Sequence, residues 1–215
     1  MVKRIKKVTK NKPTRKRKKL IIIGTEGFNK TEILYLHELE RKQDEYHFLF
    51  AHGNETDPVK IVRNTIKRAK DEEINCKKGD IAISIFDLDL DSAKQEQLRK
   101  AKELASKKNV EVITSNPCFE IWYLQHFGFT SKPFPSSNAV VKELLKKLPK
   151  YQKNYCDIDT LFPLTEKAIC NSKRLIEYHK DNGVDSEFAN PRTDVYKTPE
   201  ILFAKKDEVI YKKLS

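Results

Sequence analysis

Residues 20–24 (LIIIG) form a continuous apolar run that stops at the turn Gly24-Thr25-Glu26-Gly27. A run this short and unbroken predicts a strand buried on both faces. From Lys30 to Gln43 the apolar residues Ile33, Leu34, Leu36 and Leu39 recur at helical spacing. Residues 46–51 (YHFLFA) predict a second strand. Asp57-Pro58 predicts a helix start, a capping side chain followed by proline in the first turn. Val59, Ile61, Val62, Ile66 and Ala69 continue that helix toward Glu73. Residues 81–86 (IAISIF) predict the third strand, Ser92 the cap of a charged helix ending near Lys107, and residues 110–114 (VEVIT) the fourth strand. Pro117 then opens a helix reaching Phe127, residues 128–137 form a loop, and helices are expected over 138–148, 161–181 and 199–213.

Strands alternating with helices through short connections predict an α/β fold. It is an open, parallel, four-stranded Rossmann-like sheet with helices on both faces and a mainly helical C-terminal part. Three regions are expected: a basic disordered tail (1–19), an α/β core (20–127), and a helical extension packed on it (128–215). Ligands of such sheets bind outside the carboxyl ends of the strands, where the strand order reverses. With the order 2-1-3-4, strands one and three are neighbours and the loops that follow them face each other.

Charge changes this picture less than its size suggests. The formal net charge is +12, but residues 1–19 hold eleven Lys/Arg and no acid, while the other 196 residues hold 32 basic and 31 acidic side chains. The basic character is that of the tail, where Arg15, Lys16 and Arg17 are candidate phosphate contacts; a solubilising tail is the alternative. No apolar run approaches the ~18 residues of a membrane helix. No apolar signal core opens the chain, so a cytoplasmic location without membrane contact is expected. Cys76, Cys118, Cys156 and Cys170 include no CxxC pair and are expected to be free thiols.

The candidate chemistry lies in two loops. Glu26 follows strand one, and Asp87-Leu88-Asp89-Leu90-Asp91 follows strand three. Alternate residues of an extended segment share a side, which points Asp87 and Asp89 into one crevice. Carboxylates gathered this way repel each other, and a divalent cation resolves the conflict. Oxygen-only ligands select Mg²⁺ or Mn²⁺. Asp91 and Ser92 have the simpler reading of helix caps. An EF-hand is excluded because its Gly and Glu positions hold Ser92 and Leu98. A dinucleotide fingerprint is excluded because no further glycine follows Gly27 at the required spacing. An Asp-nucleophile phosphatase stays open, although its D-x-D motif normally follows the first strand.

These residues resemble the RloB family. The shared pattern comprises Gly24 and Glu26-Gly27, Thr31-Glu32 and Tyr35, and Phe86-Asp87-Leu88-Asp89. It continues with Ser115-Asn116-Pro117-Cys118-Phe119-Glu120 running into Ile121-Trp122-Tyr123-Leu124-Gln125-His126-Phe127, and with a late Asn190-Pro191-Arg192-Thr193. One or two extra residues separate Gly27 from Thr31, which puts the role of Glu32 in question more than that of Glu26. The resemblance implies a Toprim-like core in which Glu26, Asp87 and Asp89 surround Mg²⁺. It also implies an association with restriction and abortive infection beside an ATPase of the ABC or OLD type.

On that footing Asp87 and Asp89 are expected to hold the metal, with Glu26 a further ligand or the general base. Glu120 completes the site or caps its own helix, and Asn116 is expected to be a cap. Lys30 and Arg192 are candidate phosphate contacts, with solvated surface cations as the alternative. Trp122, Phe119 and Phe127 are expected in the core, and His126 is read as a structural histidine rather than a general acid. The leading expectation is a metal-dependent nuclease acting on DNA or RNA, tRNA included, as the effector of a phage-defence pair. The alternatives are a non-enzymatic or autoinhibited partner of the ATPase and a small-molecule phosphohydrolase. Self-association stays open.

Overall fold

The computed structural model describes residues 17–27, 31–51, 53, 55–90, 94–154, 156–184 and 186–203. The first apolar run becomes β1 (Lys19–Gly24). It is followed by α1 (Thr31–Arg41), β2 (Tyr46–Ala51), α2 (Pro58–Asp71), β3 (Ile81–Asp87), α3 (Lys94–Ser106) and β4 (Val110–Asn116). β1 pairs in parallel with β2 and β3, and β3 pairs in parallel with β4. The fold is α/β, as the alternation predicts. From β1 the chain moves outward to β2, then crosses to β3 on the other side, so the order reverses between β1 and β3.

The sheet has five strands rather than four. β5 (Arg192–Thr193) pairs antiparallel with the end of β4, Thr193 opposite Ser115 and Arg192 opposite Asn116. Two residues behind a proline carry neither an apolar run nor an alternation, so hydrophobic patterning does not announce them.

Both faces of the sheet are covered at its centre, which is why β1 reads as an unbroken apolar run, while β2 and β4 carry the exposed His47 and Glu111. Ile21, Ile23, Ile83, Ile85 and Ile113 face one core with Tyr35, Leu36 and Leu39 of α1 and the helices that follow β4. Ile22, Ala82, Phe86 and Val112 face the other, against Ile61 and Val62 of α2 and Leu98 and Ala101 of α3. Asp57 caps α2 as expected, its side chain accepting from the N–H groups of Val59 and Lys60 at 2.8 and 3.0 Å. Gly24 is required by close approach: a Cβ there would lie 2.0 Å from Thr65 Oγ1. Thr65 is itself held, its hydroxyl 2.8 Å from Ser84 Oγ and donating to the Ile61 carbonyl at 2.9 Å. Gly24→Ala is expected to cost about 1–3 kcal/mol in urea unfolding. Combined with Thr65→Ala, it should cost less than the sum of the two single changes.

Beyond β4 the chain forms α4 (Glu120–Phe127), α5 (Ser137–Leu145), α6 (Ile158–Leu161), α7 (Thr165–Asp181) and α8 (Lys197–Phe203). The helix expected over 161–181 is divided by a 3-10 turn at Phe162–Leu164, where Pro163 lacks the N–H a continuous helix needs. α4 begins at Glu120 rather than at Pro117, because residues 117–119 turn the chain out of the sheet first. Its residues Ile121 to His126 are all buried, on every side of the helix, as an internal helix requires. Trp122 and Phe119 are core residues, as expected, and Phe127 packs partly buried against them. The Ser92 cap, tail residues 1–16 and the expected helix past residue 203 lie outside the described residues. No described helix is long and apolar enough to cross a membrane.

Candidate active site

The turns after β1 and β3 meet at the switch point. Thr25 Oγ1 donates to the Gly27 carbonyl at 2.9 Å and folds the first turn. β1 ends opposite Ser84, so β3 runs three residues further and brings Asp87 alongside Glu26. The Asp87 N–H donates to Glu26 Oε1 at 3.2 Å, a direct bond between the two predicted loops.

Asp87 ends β3 and is half-buried. Burial pushes its carboxyl well above the usual carboxylate range, and the nearby charges of Glu32, Glu26, Glu120 and Asp89 push it further. The three acids expected at the site are thus gathered, with Glu120 and Glu32 beside them.

Asp89 arrives by a different route from the one expected. The extended conformation that would align it with Asp87 ends at Asp87, and the chain then turns through left-handed residues at Asp89 (φ 52) and Leu90 (φ 58). Asp tolerates this region, whereas for Leu it costs about 1–2 kcal/mol. Three bonds hold the turn. Leu88 N–H donates to Ser115 O at 2.9 Å, Asp89 N–H to Pro117 O at 3.1 Å, and Leu90 N–H to Asn116 Oδ1 at 3.3 Å. Leu88 is fully buried and anchors it from beneath. Asn116 is therefore not the expected helix cap. Its amide also donates to the Phe188 and Ala189 carbonyls at 2.8 and 3.2 Å, tying the acidic turn to the segment before β5.

Glu120 opens α4 and is buried. Tyr151 Oη, reaching in from the chain after α5, donates to Glu120 Oε1 at 2.5 Å and lies 3.4 Å from Thr31 Oγ1. The Cys118 thiol is pushed far up by burial and by the Glu120 charge, so it stays protonated. Lys94, the first residue of α3, sends its ammonium back over the crevice. Nζ lies 2.7 Å from Asp89 Oδ2, 3.0 Å from the Asp87 carbonyl and 4.0 Å from Glu26 Oε1.

The proposed phosphate contacts are elsewhere or outside view. Lys30, Arg15 and Lys16 lie outside the described residues. Arg17 pairs with Asp80 at 3.5 Å, just before β3 and so at the opposite end of that strand from Asp87. Arg192 is engaged by Asp194 at 3.3 Å and by the Ser186 carbonyl. All four cysteines are free.

Lys94 and Tyr151 are absent from the sequence reading. Lys94 had a weak signal, a lysine one helical start beyond the acidic turn. Tyr151 had none, since only the return of the chain after α5 brings it to Glu120. Glu32 stands among the motif residues, and the structure brings its charge to Asp87 despite the longer spacing from Gly27.

The donor chemistry suits a hard divalent cation, with oxygen ligands only and acids crowded at one point. The side chains as they stand are not a closed ligand set. Among the described residues, no group of three or more His, Cys, Asp or Glu is arranged to hold a metal ion.

Fold and site together define an open-sheet α/β protein with an acidic crevice at its β1/β3 switch point. The family model for RloB-like proteins matches residues 21–202, most of the chain, and the chain belongs to that family. No curated protein and no solved structure matches it.

Proposed function

We propose that the chain is a Mg²⁺- or Mn²⁺-dependent nuclease with a Toprim-like core, cleaving phosphodiester bonds in DNA or RNA at this crevice. The observation that carries the reading is the crowding of Glu26, Glu32, Asp89 and Glu120 around Asp87 at the switch point. Such an arrangement is unfavourable by itself, and a strongly perturbed acid such as Asp87 is a mark of a functional site. Asp87, Asp89 and Glu26 are the residues that would hold the cation, which when bound supplies Lewis-acid polarisation of a phosphoryl oxygen and a more acidic water. Glu26, oriented by the Asp87 N–H, would serve either as a further ligand or as the base that takes a proton from the attacking water. Glu120 is held in one position by Tyr151 and adds negative charge beside Asp87. Lys30 and the tail residues Arg15 and Lys16 remain the candidates for backbone phosphates, whereas Arg17 is engaged by Asp80 at the other end of β3. Membership of the RloB-like family supports a cytoplasmic role in phage defence beside an ABC- or OLD-type ATPase.

A divalent titration followed by thermal unfolding tests the site. A ligand that binds the native state raises its stability by mass action. Wild type is expected to gain stability with Mg²⁺ or Mn²⁺, and Asp87→Asn/Asp89→Asn to gain none. Equal gains in both proteins would remove the acidic crevice as the binding site.

A further inference from the structure

We infer that Lys94 is a tethered counter-ion of the acidic crevice, one that a divalent cation must displace, so that this lysine sets the metal affinity of the site. The inference rests on the proposed metal-dependent reading and extends it to the control of loading.

Three observations carry it. The first is position: the ammonium reaches both acidic loops, in contact with Asp89 Oδ2 and the Asp87 carbonyl and 4.0 Å from Glu26 Oε1. The second is enclosure. The Lys94 side chain is 13% exposed and that of Glu26 is 9% exposed, so the attraction between them is only partly screened by water. The third is the state of the acids. They crowd around Asp87, yet no three of the described metal-binding side chains are arranged as a ligand set. A lysine in contact with Asp89 and near Glu26 bears on both facts, because its charge offsets part of the repulsion and its Nζ occupies space beside the oxygens a cation would need.

Lys94 is suited to leave as well as to stay. It sits on a flexible four-carbon stem at the first described turn of α3, and an ammonium makes no rigid fork with its partners. A cation of twice its charge, entering between Asp87, Asp89 and Glu26, would repel the ammonium from the same oxygens. The fold thus provides a metal-free state that does not rest on bare carboxylates, together with a divalent affinity lower than the same acids would have without the lysine.

The test is Mn²⁺ binding by calorimetry to the full chain as wild type, Lys94→Met and Asp87→Asn, with melting temperatures in chelator. Lys94→Met is expected to melt lower in chelator and to bind Mn²⁺ more tightly, on the order of tenfold for ~1.4 kcal/mol of repulsion removed. Lys94→Gln, which keeps a donor for the Asp87 carbonyl, is the second neutral variant and should tighten binding likewise. Lys94→Arg keeps the charge and should stay near wild type. A purely structural lysine would lower the melting temperature without raising the affinity. Unchanged or weaker Mn²⁺ binding in both neutral variants, with Asp87→Asn still binding less than wild type, overturns the role of Lys94 and leaves the metal reading standing. Mn²⁺ binding that is the same in Asp87→Asn as in wild type overturns both.

Discussion

Asp87→Asn is expected to melt higher than wild type in the absence of divalent cations. The native carboxyl is half-buried and faces Glu32, Glu26, Glu120 and Asp89, while the unfolded chain holds it in water. Its affinity for a proton is therefore higher in the native state. Linkage then fixes the sign: the destabilisation grows as pH rises from the unfolded value of 3.8 through the raised native one, and is complete above it. An uncharged amide of nearly the same shape keeps the backbone N–H bond to Glu26 and removes the repulsion. The gain at neutral pH is expected to be about 0.5–2 kcal/mol, in the range of other substitutions that trade a costly functional group for stability. The advantage should shrink as the solution is made acidic. A variant that melts below wild type at neutral pH would mean that the negative charge of Asp87 supports the fold rather than burdening it.

The second large effect is expected at His126. This side chain is fully buried in α4, its Nδ1 bound to the Trp122 carbonyl at 2.9 Å and its ring 4.7 Å from the Trp122 ring. Nε2 has no hydrogen-bond partner among the described residues. Burial pulls its pKa from 6.5 down to about 4, so the native ring stays neutral across most of the acid range. Below pH 6.5 the unfolded chain takes up a proton that the native state refuses. Stability should fall from there to about pH 4 and then level off, a loss on the order of 3 kcal/mol. Urea unfolding of wild type and His126→Phe across that range isolates the contribution. The variant should lack this part of the slope, and parallel profiles in the two proteins would contradict the burial of a neutral imidazole.

What the amino-acid sequence revealed follows from how local each signal is. β1 is the most legible strand because a strand covered on both faces must be apolar throughout, as Ile21, Ile22 and Ile23 are, whereas β2 and β4 show only in part, with His47 and Glu111 exposed. The Asp57 cap is legible because the cap and its partners are neighbours in the chain. The meeting of Glu26 with Asp87 follows from the order of strands, which the βα alternation narrows to a few arrangements without choosing 2-1-3-4 among them. Signals that depend on distant returns of the chain were not legible. Tyr151 reaches Glu120 only because the segment after α5 folds back, and β5 is recognised only by the backbone of β4 that it completes. Asp89 shows the limit of periodicity. It was expected beside Asp87 by alternation, but the extended conformation ends at Asp87 and Asp89 is left-handed. The turn that replaces it depends on carbonyls supplied by β4 and Pro117, which no local pattern reveals. Asn116 was misread for the same reason, its amide serving the acidic turn and the 188–189 segment instead of the helix that follows.

Under the proposed function, Glu26 and Asp87 act together in divalent-dependent phosphodiester cleavage. The most direct measurement is the cleavage of end-labelled tRNA, single-stranded DNA and plasmid by wild type, Glu26→Gln and Asp87→Asn, each with Mg²⁺, Mn²⁺ and chelator. Wild type should cut at least one of these substrates only when the divalent cation is present. Glu26→Gln should be slower by about 10²–10⁴-fold, the usual contribution of a general base, and Asp87→Asn should be reduced to background. Cutting by either variant at the wild-type rate, or by wild type in chelator, would contradict the account.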